Sequence, residues 1–200
     1  MKKSGLCSVL KKGFRQHNIA LLLLVALIAG FTGAQESDSL LKRNQQIAEV
    51  YADSAFAFLL QGNLESALET ANEALSYFPA MSDALLIKYM VLKTRKTPLE
   101  TCINLLDASL KADNFKNFFR EDVLVLYCHE LISTQRMYEA LTAVQKIISE
   151  DERNYILARA HQELGNLDTA LVYYKTYLAL HPDAIESLIP WLMRVSKHAY

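Results

Sequence analysis

Beyond its first 34 residues the chain holds only two glycines, Gly62 and Gly165, the other four of its six lying in the leader. No glycine-rich loop that could cradle a phosphate is present. Nor does any run alternate apolar and polar residues with period two for long enough to argue a sheet. The three cysteines form no CxxC pair, and the five histidines are scattered. Cys128-His129-Glu130-Leu131-Ile132-Ser133 opens like the helical motif of a zinc protease, but the position four residues after His129 is Ser133. One histidine does not hold the metal. The chain is therefore expected to be no enzyme, with no catalytic residue, no metal and no cofactor.

Basic charge is scarce outside the leader. Lys2, Lys3, Lys11, Lys12 and Arg15 are five of the 21 basic residues, so 16 remain against 22 acids, a net charge of −6. A nucleic-acid binder carries the opposite sign on a face, which excludes that partner. Long hydrophobic runs are limited to the thirteen residues from Ile19 to Phe31, short of the ~20 that a membrane-spanning helix takes. A basic segment, a short apolar run and the small residues Thr32-Gly33-Ala34 before Gln35 together read as a secretory signal peptide over residues 1–34. The expected location is secreted or periplasmic. Left uncleaved, residues 19–31 would anchor the protein in the inner membrane, the one condition for membrane association. Cys7 precedes the apolar run, which disfavours a lipoprotein.

What is abundant is helical periodicity, as 52% hydrophobic residues allow. In Leu164 to Pro182, Gly165-Asn166 breaks the chain, Asp168 falls in a first helical turn, and Pro182 is a stop. Between them Leu167, Ala170, Leu171, Tyr174, Tyr177 and Leu178 repeat at i, i+3, i+4, i+7, a stripe that faces another helix. The same grammar recurs from Gly62-Asn63-Leu64 through Ala67, Leu68, Ala71, Ala74 and Leu75 to Pro79. Two weaker copies share the frame: Lys96 to Cys102, continuing through Leu105 and Ala108, and Gln135 to Leu141, continuing through Val144 and Ile147. The aligned residues Ala67, Thr101, Ala140 and Ala170 are spaced by 34, 39 and 30.

On these residues the chain resembles the tetratricopeptide repeat family over about Ala48 to Pro182. The first copy carries Tyr51, Ser54, Ala55 and Phe58, then Ala67, Ala71, Ala74 and Pro79; the fourth carries Leu157, Ala158, His161, Ala170, Tyr174, Tyr177 and Pro182. The resemblance implies an all-α, right-handed α-solenoid of about four helical hairpins, over 48–81, 82–115, 121–152 and 153–182. Residues 35–47 are expected to form a helical extension, with Ser39 to Gln46 lengthening the first helix by about two turns. Residues 183–200 are expected to form a capping helix, with Asp183 and Glu186 at its start and Ile185, Leu188, Ile189, Leu192 and Val195 along its stripe. The alternative is that they begin a truncated further repeat. The long spacing predicts a longer connection around Lys116 to Arg120. The short one predicts a clipped first helix in copy four, about Asn154 to Gln162. Cys102 and Cys128 fall at helix-packing positions, either as two small buried side chains or as a disulfide.

Folds of this kind bind protein segments in a concave groove lined by the first helix of each hairpin. By the resemblance the groove positions are Glu49, Ala52, Asp53 and Phe56; Leu86, Ile87 and Met90; Asp122, Val125, Leu126 and His129; Tyr155, Ile156 and Arg159. The residues expected to contact a partner are Phe56, Leu86, Met90, Val125, His129, Tyr155 and Arg159. The Lys/Asn/Arg clamp with which chaperone-binding members hold terminal carboxylates is absent, since Ala52, Phe56, Ile87, Asp122 and Leu126 stand there. The expectation is an extracytoplasmic scaffold or adaptor for an apolar or amphipathic segment of a protein or peptide partner. The alternative is a structural subunit of an envelope complex with its groove permanently occupied.

Overall fold

The computed structural model describes residues 38–184. The leader 1–34 lies outside them, as does all but the first two residues of the expected closing helix. The chain divides into two units, Met1–Gln46 and Ile47–Tyr200. Of the first, residues 38–46 are described and are helical.

The second unit begins with α1, residues 47–60, and continues with α2 (Leu64–Tyr77), α3 (Ser82–Thr94), α4 (Leu99–Ala112), α5 (Arg120–Ser133), α6 (Met137–Ala143), α7 (Glu150–Glu163) and α8 (Leu167–Leu180). No strand occurs among the described residues. A 3₁₀ turn over Val144–Lys146 prolongs α6, and another, Pro182–Ala184, follows α8. Each helix packs on the next: α3 on α2 and α4, α5 on α4 and α6, and α7 on α5, α6 and α8. Hairpins stacked in this way bury one continuous apolar seam.

Small residues set the approach of the first hairpin. Ala48, Ala52 and Ala55 of α1 and Ala67, Ala71 and Ala74 of α2 are buried together. Without branched side chains between them the helices close tightly, and Phe there would overpack the seam. The next core joins α3, α4 and α5 through Leu86, Tyr89, Cys102, Leu106 and Val123. A third runs from Ile103 through Leu131 and Val144 to Ile156 and Ala160. Cys102 and Cys128 are both free and buried, so no disulfide joins them.

The short spacing resolves differently from the clipped first helix expected near Asn154 to Gln162. Helix α7 has 14 residues, and the shortening falls on α6, which has seven. Ile147 leaves the helix in extended conformation and plugs into the third core, 2% exposed. Glu150, Asp151 and Glu152 then start α7, where carboxylates favour the exposed N–H groups of a first turn. The long spacing does lengthen the α4–α5 connection, residues 113–119, which Asp113 opens in left-handed conformation at φ 52°.

Candidate ligand groove

The expected strip divides into a covered half and an open one. In the first, Leu86 is fully buried among Tyr89, Cys102, Leu106 and Val123, and Ile87 is fully buried toward α2. Helix α3 has neighbours on nearly every side, so these two positions are core and not ligand contacts. Ala52 and Ile156 are buried in the same manner. The half-buried Phe56 meets Phe118 edge-on at 5.1 Å between ring centroids, and Met90 packs in the core that Phe115, Phe118 and Leu126 flank.

What covers this half is the α4–α5 connection. Its backbone is held by Asp83, 1% exposed, whose Oδ2 accepts from the N–H of Asn117 at 2.9 Å and of Lys116 at 3.2 Å. Asn117 Nδ2 also donates to Asp83 at 3.1 Å and to Asp53 at 2.9 Å, and Lys116 forms an ion pair with Asp53. Burial raises the Asp83 carboxyl above its ordinary value, against the opposing pull of these N–H groups. At Asp53 burial acts the same way, but the Lys116 and Asn117 bonds outweigh it and hold the group low. Phe115-Lys116-Asn117-Phe118 is thus an intramolecular occupant: Phe118 lies against Phe56, the Lys116 ammonium on Asp53, and the backbone N–H groups on Asp83.

In the second half His129, Tyr155 and Arg159 come together on α5 and α7, with Val125 one helical turn before His129. Arg159 Nη1 donates to His129 Nδ1 at 3.3 Å. Burial, then the adjacent guanidinium, lowers the His129 pKa below its ordinary value, against the opposing pull of Glu130. The Tyr155 ring lies 6.1 Å from His129 and 5.1 Å from Tyr177. Glu130, next to His129, faces the other way: it accepts from Tyr89 Oη at 2.8 Å and pairs with Lys93 at 2.6 Å, a tie between hairpins.

Beside this cluster opens a cleft of about 810 Å³ between the starts of α5 and α7. Val125 and Leu126 line it, with Phe119 and Ile148 at 79% and 83% exposure. Four acids also line it. Glu121 is engaged by the N–H groups of Ile148 and Ser149, and Asp151 by Ser149 and His181. Asp122 and Glu152 have no such partners among the described residues. Burial raises the Glu152 carboxyl above its ordinary value, and Asp151, Asp122 and Glu121 add to the shift against the opposing pull of His181.

The signal for this site was present but unread. Glu49, Asp83, Asp122 and Glu152 stand at spacings of 34, 39 and 30, the same as Ala67, Thr101, Ala140 and Ala170. Every first helix therefore carries an acid at one position of the repeat.

Two solved proteins share this arrangement of hairpins. PilF of Pseudomonas aeruginosa, the subject of a functional characterisation, is 22% identical with a TM-score of 0.52; the match covers 68% of this chain and 62% of PilF. MamA from AMB-1 is 17% identical with a TM-score of 0.56, over 72% of this chain and 79% of MamA. Both are tetratricopeptide-repeat structures. The fold is the tetratricopeptide-repeat solenoid. MamA from MSR-1 matches likewise, at 15% identity and a TM-score of 0.54, over 68% of this chain and 78% of that one. The chain spans less than two thirds of the length of PilF. No protein-family model and no curated protein sequence matches it.

The solenoid frame places the four acids on the first helices. It also makes residues 113–119 an insertion between the second and third repeats.

Proposed function

We propose that the protein is a non-enzymatic interaction scaffold of an extracytoplasmic compartment, holding an apolar or amphipathic segment of a partner protein between α5 and α7. The observation that carries this reading is the open cleft, with Phe119 and Ile148 exposed above Val125 and Leu126. Large apolar side chains grouped at a concavity mark a site of association on a soluble surface. Export rests on the basic and apolar leader. No helix of the described residues is long and apolar enough to cross a membrane. His129, Tyr155 and Arg159 extend the surface along the same two helices and supply the aromatic and guanidinium groups that anchor interfaces.

The test is photo-crosslinking from position 148 in the native envelope, with the N-terminus of the recovered protein sequenced. A crosslinked protein that disappears in the Phe119→Asp variant, with circular dichroism unchanged and a start near Gln35, is the expected result. Capture unaffected by Phe119→Asp moves the surface elsewhere, and a retained Met1 replaces export by anchoring. Leu86→Asp is unsuitable as a control because it would bury a charge in the core.

A second reading, a subunit of an envelope complex with its groove permanently filled, is favoured by the insertion that already occupies α1 and α3. A partner that co-purifies at fixed stoichiometry and survives high salt would select it.

A further inference from the structure

The acids Glu49, Asp83, Asp122 and Glu152 occupy one position of four successive repeats, yet only half of them face protein. Glu49 and Asp83 line a cavity of about 340 Å³ together with Asp53, Phe115 and Lys116. The insertion enters there with an aromatic residue on either side of its lysine: Phe118 against Phe56, Phe115 against the core of α3, α4 and α5, and Lys116 over Asp53. Asp122 and Glu152 stand at the equivalent places in the cleft of about 810 Å³, with apolar side chains about them. On its own first two repeats the chain thus fills an acid-lined cavity with a lysine flanked by aromatic residues, its ammonium on Asp53 and its backbone N–H on Asp83.

We infer that the cleft between α5 and α7 binds a partner segment in which a lysine or arginine is flanked by aromatic or large apolar residues. This rests on the scaffold reading and specifies its ligand. The basic group pairs with Asp122 and Glu152. The flanking side chains cover Phe119 and Ile148 and reach Val125 and Leu126. Charge decides between this and a purely apolar partner. The lining holds Glu121, Asp122, Asp151 and Glu152 against Arg120 and Lys146, and Arg120 is turned to Asp113 at 2.8 Å. An uncharged segment would leave the two unpaired carboxylates desolvated, an expensive outcome. An acidic segment would meet like charge. A basic one neutralises them and accelerates encounter at low salt.

The test uses two synthetic peptides with the insertion's own pattern, Asn-Phe-Lys-Asn-Phe-Phe and the same peptide with glutamate for lysine, each fluorescently labelled and titrated into the whole mature protein. The lysine peptide is expected to bind, to weaken as salt rises, and to lose at least about tenfold in affinity with Asp122→Lys/Glu152→Lys, one decade being about 1.4 kcal/mol. Both residues are on the surface of helix starts, and circular dichroism of the variant checks that it is folded. Asp53→Lys is the control for displacement of the insertion: a loss confined to this variant overturns the inference, because the peptide then binds at the first repeats. Equal binding of the glutamate peptide also overturns it. If neither peptide binds while position 148 still crosslinks a protein in the envelope, the ligand chemistry inferred here is wrong and the scaffold reading survives. If crosslinking fails as well, both fall.

Discussion

At His129, burial and the Arg159 guanidinium both oppose protonation, and the pKa lies below its ordinary value near 6.5. The unfolded chain therefore takes up a proton at higher pH than the folded one does. The contribution of this group to stability is intact above about pH 6.5 and is lost as the pH falls from there toward the folded value. Replacing it by Gln keeps a group able to accept from Arg159 and removes the titration. His129→Gln is expected to flatten the fall of the urea midpoint between about pH 7 and pH 5 relative to the parent protein. An unchanged slope would mean that the imidazole takes up its proton at the same pH in the fold as in the unfolded chain.

Each hairpin is made by the same turn, although only two of the four turns carry glycine. Gly62, Lys96, Gln135 and Gly165 have φ of 75°, 55°, 60° and 77°. All four close the preceding helix with the same pair of bonds, as at Gln135 N–H to Ile132 O at 3.0 Å and Arg136 N–H to Leu131 O at 2.8 Å. This is the left-handed closure of a helix end. A side chain in that conformation costs about 1–2 kcal/mol, while the extra freedom of glycine in the unfolded chain costs about 0.5–1. Lys96→Gly and Gln135→Gly should therefore each stabilise by about 0.5–1 kcal/mol. Gly62→Ala and Gly165→Ala should destabilise by about 1 kcal/mol, through the backbone alone, because nothing lies within 4 Å of either added Cβ. Urea denaturation of the four variants reads both signs, and destabilisation by the first pair would refute the shared turn.

A stack in which each hairpin touches only its neighbours has a stability that varies along the chain. Helix α3 buries eight of its 13 residues, from Ser82 to Val91. Helix α8 buries Ala170 and Tyr174 alone among its 14. The middle is also tied by Tyr89 and Lys93 to Glu130 and by the Asp83 hold on the insertion. Hydrogen exchange followed by mass spectrometry is expected to show the amides of α8 opening at least about tenfold faster than those of α3 and α5. One common rate for all helices would show that the repeats unfold as a single cooperative block.

Hairpin order, the seam residues Ala67 and Ala170, and the place of the long connection were legible in the chain by itself. They depend on local rules: helical spacing of apolar residues, small residues where helices touch, and a break at each turn. Two turns were faint because lysine and glutamine hold a conformation that sequence associates with glycine. Which face of a first helix stays open was decided only by tertiary structure. Leu86 and Phe119 are both large and apolar, and nothing local separates them; Leu86 is enclosed by α4 and α5, whereas Phe119 is 79% exposed at the mouth of a cleft. The insertion folds back because Asp83, far away in sequence, supplies the acceptor for its backbone N–H groups. Periodicity assigns a residue to a face, but whether that face meets solvent depends on chain that returns from elsewhere.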